Sequence, residues 1–276
     1  MRLKTIAQET VAALERGSYT ASNGATIDLA ALMRPCLDET RCYTADALEG
    51  IRDSVLATMP PHDHTLFELA NESTLQGAAR LAASGTYAQI GVLNFASAKN
   101  PGGGFLRGAQ AQEESLARSS GLYLSLLRCP EYYAHHRREK TLLYSDRMIF
   151  SPNCPIIRDD FGVWINEPLI VSFITSPAPN YGAVRSNEPE NLDQIPRVLD
   201  QRMGKLLALA VDHGCDALVL GAWGCGVFRN DPQLVASLFR SHLRGAFYGR
   251  FRCVVFSVLD RTTQQKTYRA FEQVMV

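Results

Sequence analysis

The chain has 276 residues, of which 46% are apolar and 20% charged, the proportions of a folded protein and not of a disordered, collagenous or coiled-coil one. Twenty-eight basic residues balance 28 acidic ones, so no global field draws the chain to nucleic acid or to an anionic membrane. A polyanionic partner must therefore be met at a local site. No run reaches the roughly 18 apolar residues of a membrane span, and the first residues lack the apolar core of a signal peptide. The seven cysteines are scattered without a C-x-x-C pair. The expected setting is reduced and cytoplasmic, with neither a disulfide framework nor a zinc site.

In chain order, Leu3, Ile6, Ala7, Thr10, Val11 and Leu14 form one face of an amphipathic helix that Gly17 ends. Tyr19-Thr20 and Ile27–Leu29 flank Ser22-Asn23-Gly24 as a small hairpin. A helix is expected over about 44–57. Compact apolar runs then alternate with helix-length segments. The runs are Thr65–Leu69, Ile90–Phe95, Leu169–Ile174, Ala217–Leu220 and Cys253–Val258, and the helical segments lie at about 74–84, 112–127, 191–213, 231–244 and 264–274. Such alternation predicts an α/β fold with a largely parallel or mixed sheet. The polar stretch Pro130–Pro168, with Arg137-Arg138-Glu139-Lys140 and Ser151-Pro152-Asn153-Cys154-Pro155, reads as an insertion. No repeat or linker divides the chain, so one domain over 1–276 is expected, with 1–60 as an N-terminal helical extension and 61–276 as the α/β core.

Two glycine loops follow predicted strands. The first is Ala96-Ser97-Ala98-Lys99-Asn100-Pro101-Gly102-Gly103-Gly104, and the second is Gly221-Ala222-Trp223-Gly224-Cys225-Gly226-Val227-Phe228. Glycines there permit positive φ and let a ligand touch the backbone. A single such loop is an ordinary turn, but two at the carboxyl ends of strands in one open sheet mark a ligand crevice. Neither is a P-loop, and Arg229 stands where a dinucleotide fingerprint has glycine. Gln112-Glu113-Glu114 opens the next helix. Acidic residues in a first turn ordinarily just complement the dipole.

Taken together, Gly102-Gly103-Gly104, a seven-residue spacer and Gln112-Glu113-Glu114 resemble the signature of poly(ADP-ribose) glycohydrolases. Asn94–Pro101, Thr175–Asn180 and Gly221–Phe228 resemble the compact bacterial-type branch, and the likeness runs from about 90 to 260. The resemblance implies a macrodomain-like fold, a mixed β-sheet sandwiched between helices with an N-terminal helical extension. It implies an enzyme that cuts ribose–ribose O-glycosidic bonds of poly(ADP-ribose) and releases ADP-ribose without cofactor or metal. The implied partners are ADP-ribose, its polymer and poly(ADP-ribosyl)ated proteins, in a DNA damage response without direct DNA contact.

By position, Glu114 is similar to the family's catalytic glutamate and Glu113 to the neighbour that holds hydroxyls of the distal ribose. Gly102, Gly103, Gly104 and Gln112 complete that wall. Gly224, Cys225, Gly226, Val227 and Phe228 resemble the diphosphate loop, with Phe228 pressing on the ribose. Ser97 departs from the asparagine common in macrodomains, so Asn100 is the candidate ribose contact. Adenine is expected near Phe256, Val258 and Leu259, with Val258 favoured. Two other functions stay open, a non-catalytic ADP-ribose reader and a hydrolase of mono-ADP-ribosyl proteins or O-acetyl-ADP-ribose. A pure reader needs no acid.

Breaking the glycosidic bond requires a general acid for the leaving oxygen and a base for the attacking water, roles one carboxyl can take in turn. A helix N-terminus favours ionisation, so Glu114 is expected to be protonated mainly in the substrate complex, where diphosphate and Glu113 oppose a further charge. Glu113 is expected to stay ionised. His62-Asp63-His64 reads as a solvated loop, and Cys225 as a small packing residue. Tyr132-Tyr133 and His135-His136 beside Arg137-Arg138 read as part of an exposed polar insertion.

Overall fold

The computed structural model describes residues 3–275. α1 (Leu3–Arg16) leads into a hairpin of β1 (Ser18–Thr20) and β2 (Thr26–Asp28), with Gly24 at φ +85° in the turn. α2 (Leu29–Glu39) starts on the Asp28 carboxylate, which accepts the Ala31 N–H. β3 (Arg41–Tyr43) and α3 (Ala45–Leu56) follow. Next come β4 (Leu66–Ala70), α4 (Thr74–Ala83), β5 (Ile90–Phe95), α5 (Gln112–Ser119), α6 (Leu122–Leu126) and α7 (Pro130–Arg138). β6 (Met148–Arg158) and β7 (Trp164–Ser176) form a long hairpin, followed by α8 (Tyr181–Asn187) and α9 (Ile195–Asp212). β8 (Ala217–Leu220), α10 (Pro232–Arg244), β9 (Cys253–Ser257) and α11 (Lys266–Met275) complete the fold.

Seven strands form one sheet in the order β3-β6-β7-β5-β8-β9-β4. β7, β5, β8, β9 and β4 run parallel, and β6 runs against both of its neighbours. The expected mixed sheet between helices is thus present. Successive strand residues point to opposite faces, and both faces are covered, which is why the strands read as unbroken apolar runs. Leu93, Leu218 and Val254 pack with Leu206 of α9 and Phe239 of α10. Val92, Val219 and Val255 pack on the other side with Leu75 of α4, Met33 of α2 and Leu116 of α5.

The stretch Pro130–Pro168 is no polar insertion. It holds α7 and the eleven-residue β6, which lies inside the sheet and is buried except at Asn153. Proline removes a ladder donor and argues against an interior strand. Here Pro152 falls in a register shift between Ser151 and Cys154, with Asn153 at φ +49°, so the bulge absorbs the proline. Tyr132, Tyr133 and His136 are buried, against the expectation of an exposed segment.

The helix expected over 112–127 is two helices. Between them Ser120 bridges to Ile156, and the Gly121 N–H donates to the Pro155 carbonyl at 2.9 Å. β3, an edge strand, and α3, which packs on α9, bring part of the 1–60 segment into the α/β layers. Among the described residues no helix is long and apolar enough to cross a membrane.

Candidate active site

Because five strands run parallel, the loops after β4, β5, β7, β8 and β9 emerge at one end of the sheet. They surround a cavity of about 950 Å³. Such a crevice beyond the carboxyl ends of parallel strands is where open α/β sheets take ligands.

α5 is fixed to the sheet by its first residue. β5 and β8 pair only as far as Val92↔Val219. On the next rung, the Leu93 carbonyl and Phe95 N–H would meet Gly221 if β8 continued. Instead the Gln112 side-chain amide occupies that rung, with Nε2 donating to Leu93 O at 2.7 Å and Oε1 accepting the Phe95 N–H at 2.9 Å. Gln112 thereby imitates a strand peptide. The two buried backbone groups are satisfied, and Glu113 and Glu114 are brought to the cavity wall.

Glu113 is 3% exposed, and its Oε2 accepts the Ser97 N–H at 2.6 Å while Oε1 accepts Asn94 Nδ2 at 3.3 Å. Burial pushes its carboxyl up to about 8, against the pull of these hydrogen bonds, and the neighbouring Glu114 charge adds to the rise. In the ligand-free fold this works against the expectation that Glu113 stays ionised. Desolvation of the buried carboxylate outweighs the donors around it. Glu114 is half-buried, and its Oε1 accepts the Gly104 N–H at 3.0 Å.

Gly103 lies against both carboxyls. Its φ is +60°, and a Cβ built there would stand 2.3 Å from Glu114 Oε1 and 3.3 Å from Glu113 Oε2. Only glycine meets the turn and the approach together. Gly102, at φ +67°, turns the loop behind the wall, where its Cβ would meet Phe105 at 2.9 Å.

In the second loop Gly224 (φ +72°) is packed on Ala178 and Asn230, whereas a Cβ on Gly226 would meet nothing within 4 Å. Asn230, 3% exposed, donates from Nδ2 to Pro179 O at 2.9 Å and to Gly224 O at 3.1 Å, tying this loop to the segment after β7.

The structure brings Asn100, Gly103, Gly104, Gln112, Glu113, Glu114, Gly224, Cys225, Gly226, Val227, Phe228 and Val258 to this one cavity, and leaves Gly102 behind its wall. Leu259 joins the lining, while Phe256 lies in the core against Phe239 and Phe271. Burial pushes the Cys225 thiol up, as for a packed side chain. His62, Asp63 and His64 stand at the opposite end of the sheet, before β4. Among the described residues no group of three or more His, Cys, Asp or Glu could hold a metal. Sequence reading did not single out Asn94 or Asn230. An asparagine within Ile90-Gly91-Val92-Leu93-Asn94-Phe95 was the available signal for the first.

Residues 7–159 match the family model described as microbial-type PARG, catalytic domain. The chain is similar to the structure of poly(ADP-ribose) glycohydrolase (PARG) from Thermomonospora curvata, at 46% identity and TM-score 0.93, covering 98% of each chain. The same organism's enzyme bound to the inhibitor ADP-HPD matches at 45% identity and TM-score 0.91, again over 98% of both chains. The poly(ADP-ribose) glycohydrolase of Deinococcus radiodurans in complex with ADP-ribose matches at 43% identity and TM-score 0.83, covering 88% of this chain and 96% of that one. The search of curated proteins gave no match.

Proposed function

The chain belongs to the microbial-type poly(ADP-ribose) glycohydrolase family, and from that premise we propose that its cavity hydrolyses ribose–ribose O-glycosidic bonds of poly(ADP-ribose) with Glu114 as the general acid and base. The observation that carries the reading is the convergence of Glu113 and Glu114 on Gly103, at the meeting of two glycine loops. A module that only reads ADP-ribose has no use for two carboxyls pressed into that backbone.

In this reading the polymer's terminal ADP-ribose lies across the loops. Adenine rests near Val258, the diphosphate on the Gly224–Phe228 backbone and the far ribose against Phe228 and Asn100, as the family resemblance implies. Glu113 binds the ribose hydroxyls. Its raised affinity for a proton lowers the negative charge that the site sets against an incoming diphosphate. Glu114 enters the reaction protonated and delivers its proton to the departing ribose oxygen as the glycosidic bond breaks. The resulting carboxylate then takes a proton from the water that attacks the oxocarbenium-like carbon.

The partners that follow are the polymer and the poly(ADP-ribosyl)ated proteins that carry it. A balanced net charge supplies no field that would draw the chain onto DNA, and seven free thiols fit a reduced, cytoplasmic setting. The test is to incubate the protein with labelled polymer, and in parallel with a mono-ADP-ribosylated protein and O-acetyl-ADP-ribose. ADP-ribose should be released from polymer. Tight ADP-ribose binding without release identifies a reader, and turnover of only the smaller substrates identifies the other hydrolase class.

A further inference from the structure

Tyr144 lines the cavity and plays no part in the chemistry described above. Its φ is +57°, in the left-handed region that a bulky aromatic residue rarely adopts. The chain holds it there from several sides. Arg202 is 1% exposed, and its Nη2 donates to the carbonyls of Leu143 and Tyr144, both at 3.1 Å. Its Nη1 donates to Pro177 O at 2.7 Å and its Nε to Asp146 Oδ1 at 2.8 Å, while Lys205 Nζ lies 2.7 Å from the other Asp146 oxygen. Ser145 Oγ meets His136 Nε2 at 2.9 Å, and the Asn180 N–H donates to Leu142 O at 3.0 Å. A conformation disfavoured on its own persists where the surroundings over-determine it, and such places cluster at ligand sites.

The sheet order says what the ring faces. β6 lies beyond β7, so Tyr144, just before β6, stands on the flank of the cavity opposite Val258 at the end of β9. Its ring is 6.1 Å from that of Phe228 and tilted by 44°, and 6.1 Å from that of His136 on α7. One residue on, Arg137 donates to the Lys99 carbonyl at 2.8 Å, so α7 also braces the first glycine loop. In the proposed pose, with adenine at Val258 and the diphosphate on the β8 loop, the far ribose of ADP-ribose turns toward Tyr144.

We propose that Tyr144 is a substrate-positioning residue, its ring set beside Phe228 as the end wall against which the two riboses of the scissile bond are aligned with Glu114. Arg202 positions it through the backbone. This inference rests on the glycohydrolase reading above.

The test compares wild type, Tyr144→Phe and Tyr144→Asn for release of ADP-ribose from polymer, affinity for free ADP-ribose by calorimetry, and thermal melting. Asparagine accepts left-handed backbone but removes the ring. Tyr144→Asn should fold and bind free ADP-ribose within about three-fold of wild type, yet lose at least about ten-fold in kcat/KM on polymer, mainly in kcat, because reacting groups are misaligned. Tyr144→Phe should stay within about two-fold, since the ring and not the hydroxyl forms the wall. Wild-type turnover by Tyr144→Asn overturns the inference, and so does a loss of rate matched by an equal loss of ADP-ribose affinity. Tyr144→Gly, which suits the same backbone, repeats the test if the asparagine variant does not fold. A wild-type protein inactive on polymer refutes the glycohydrolase reading itself.

Discussion

Replacing Gly103 by alanine inserts a methyl group between the two glutamates. The new Cβ would lie 2.3 Å from Glu114 Oε1 and 2.9 Å from its Cδ, where ordinary contact begins at 3.4 Å. The Glu114 carboxyl must then retreat by about 1 Å, and a misplacement of that size costs on the order of 10²-fold in rate, or about 2.7 kcal/mol of barrier. Alanine in the left-handed region adds about 1–2 kcal/mol of strain, worth roughly 2–4 °C of melting temperature per kcal/mol in a domain of this class. Gly85 separates the two effects. Its φ is +61°, nearly that of Gly103, but a Cβ there meets nothing within 4 Å. Both variants should melt earlier by similar amounts, while single-turnover release of ADP-ribose from labelled polymer should collapse only in Gly103→Ala. Equal rates for Gly103→Ala and Gly85→Ala would refute the claim that this glycine exists to let the carboxyls close in.

Glu114→Gln keeps shape but cannot deliver a proton, so turnover should fall by about 10²–10⁴-fold with ADP-ribose affinity retained or tightened. Glu113→Gln should harm affinity and rate together, and calorimetry beside single-turnover kinetics shows whether these roles are reversed. The Glu113 carboxyl is raised from 4.5 to about 8 in the fold, so its neutral form favours the folded state at low pH, and that contribution is lost as pH rises toward about 8. Melting of the ligand-free protein should accordingly fall across this interval, and Glu113→Gln should flatten the decline. Gly226→Ala meets no protein atom within 4 Å, so it should leave melting unchanged and weaken ADP-ribose by about 1 kcal/mol or more if the diphosphate lies on this backbone. Unchanged affinity would place the diphosphate elsewhere.

What was legible in the sequence were features carried by local patterning. Apolar runs such as Ile90–Phe95 and Ala217–Leu220 are strands, and two glycine loops after parallel strands meet at one cavity. The family signature drew attention to Glu113 and Glu114. What was not legible depended on partners distant in the chain. β6 carries two prolines and reads as a loop until its bulge against β7 is seen. Pro35 inside α2 similarly obscures a helix. Tyr132 and Tyr133 are buried because they join Ile149, Ile156 and Phe173 in one core cluster, which no local pattern in a charged stretch reveals. Glu113 belongs to the same class, since the carboxyl's proton affinity is set by enclosure that only the assembled cavity supplies.

The rung supplied by Gln112 has a dynamic consequence. Where a side-chain amide completes a β-ladder, the first turn of α5 and the last residues of β5 share their fastening. Neither can fray without the other. The turn that carries Glu113 and Glu114 thereby takes its rigidity from the middle of the seven-stranded sheet instead of from a surface loop. Access of solvent deuterium to the Phe95 amide becomes a measure of how often the glutamates leave their places. Amides of a turn fastened this way should exchange slowly, whereas those at the exposed tip of the opposite loop, Gly226 and Val227, should exchange fast.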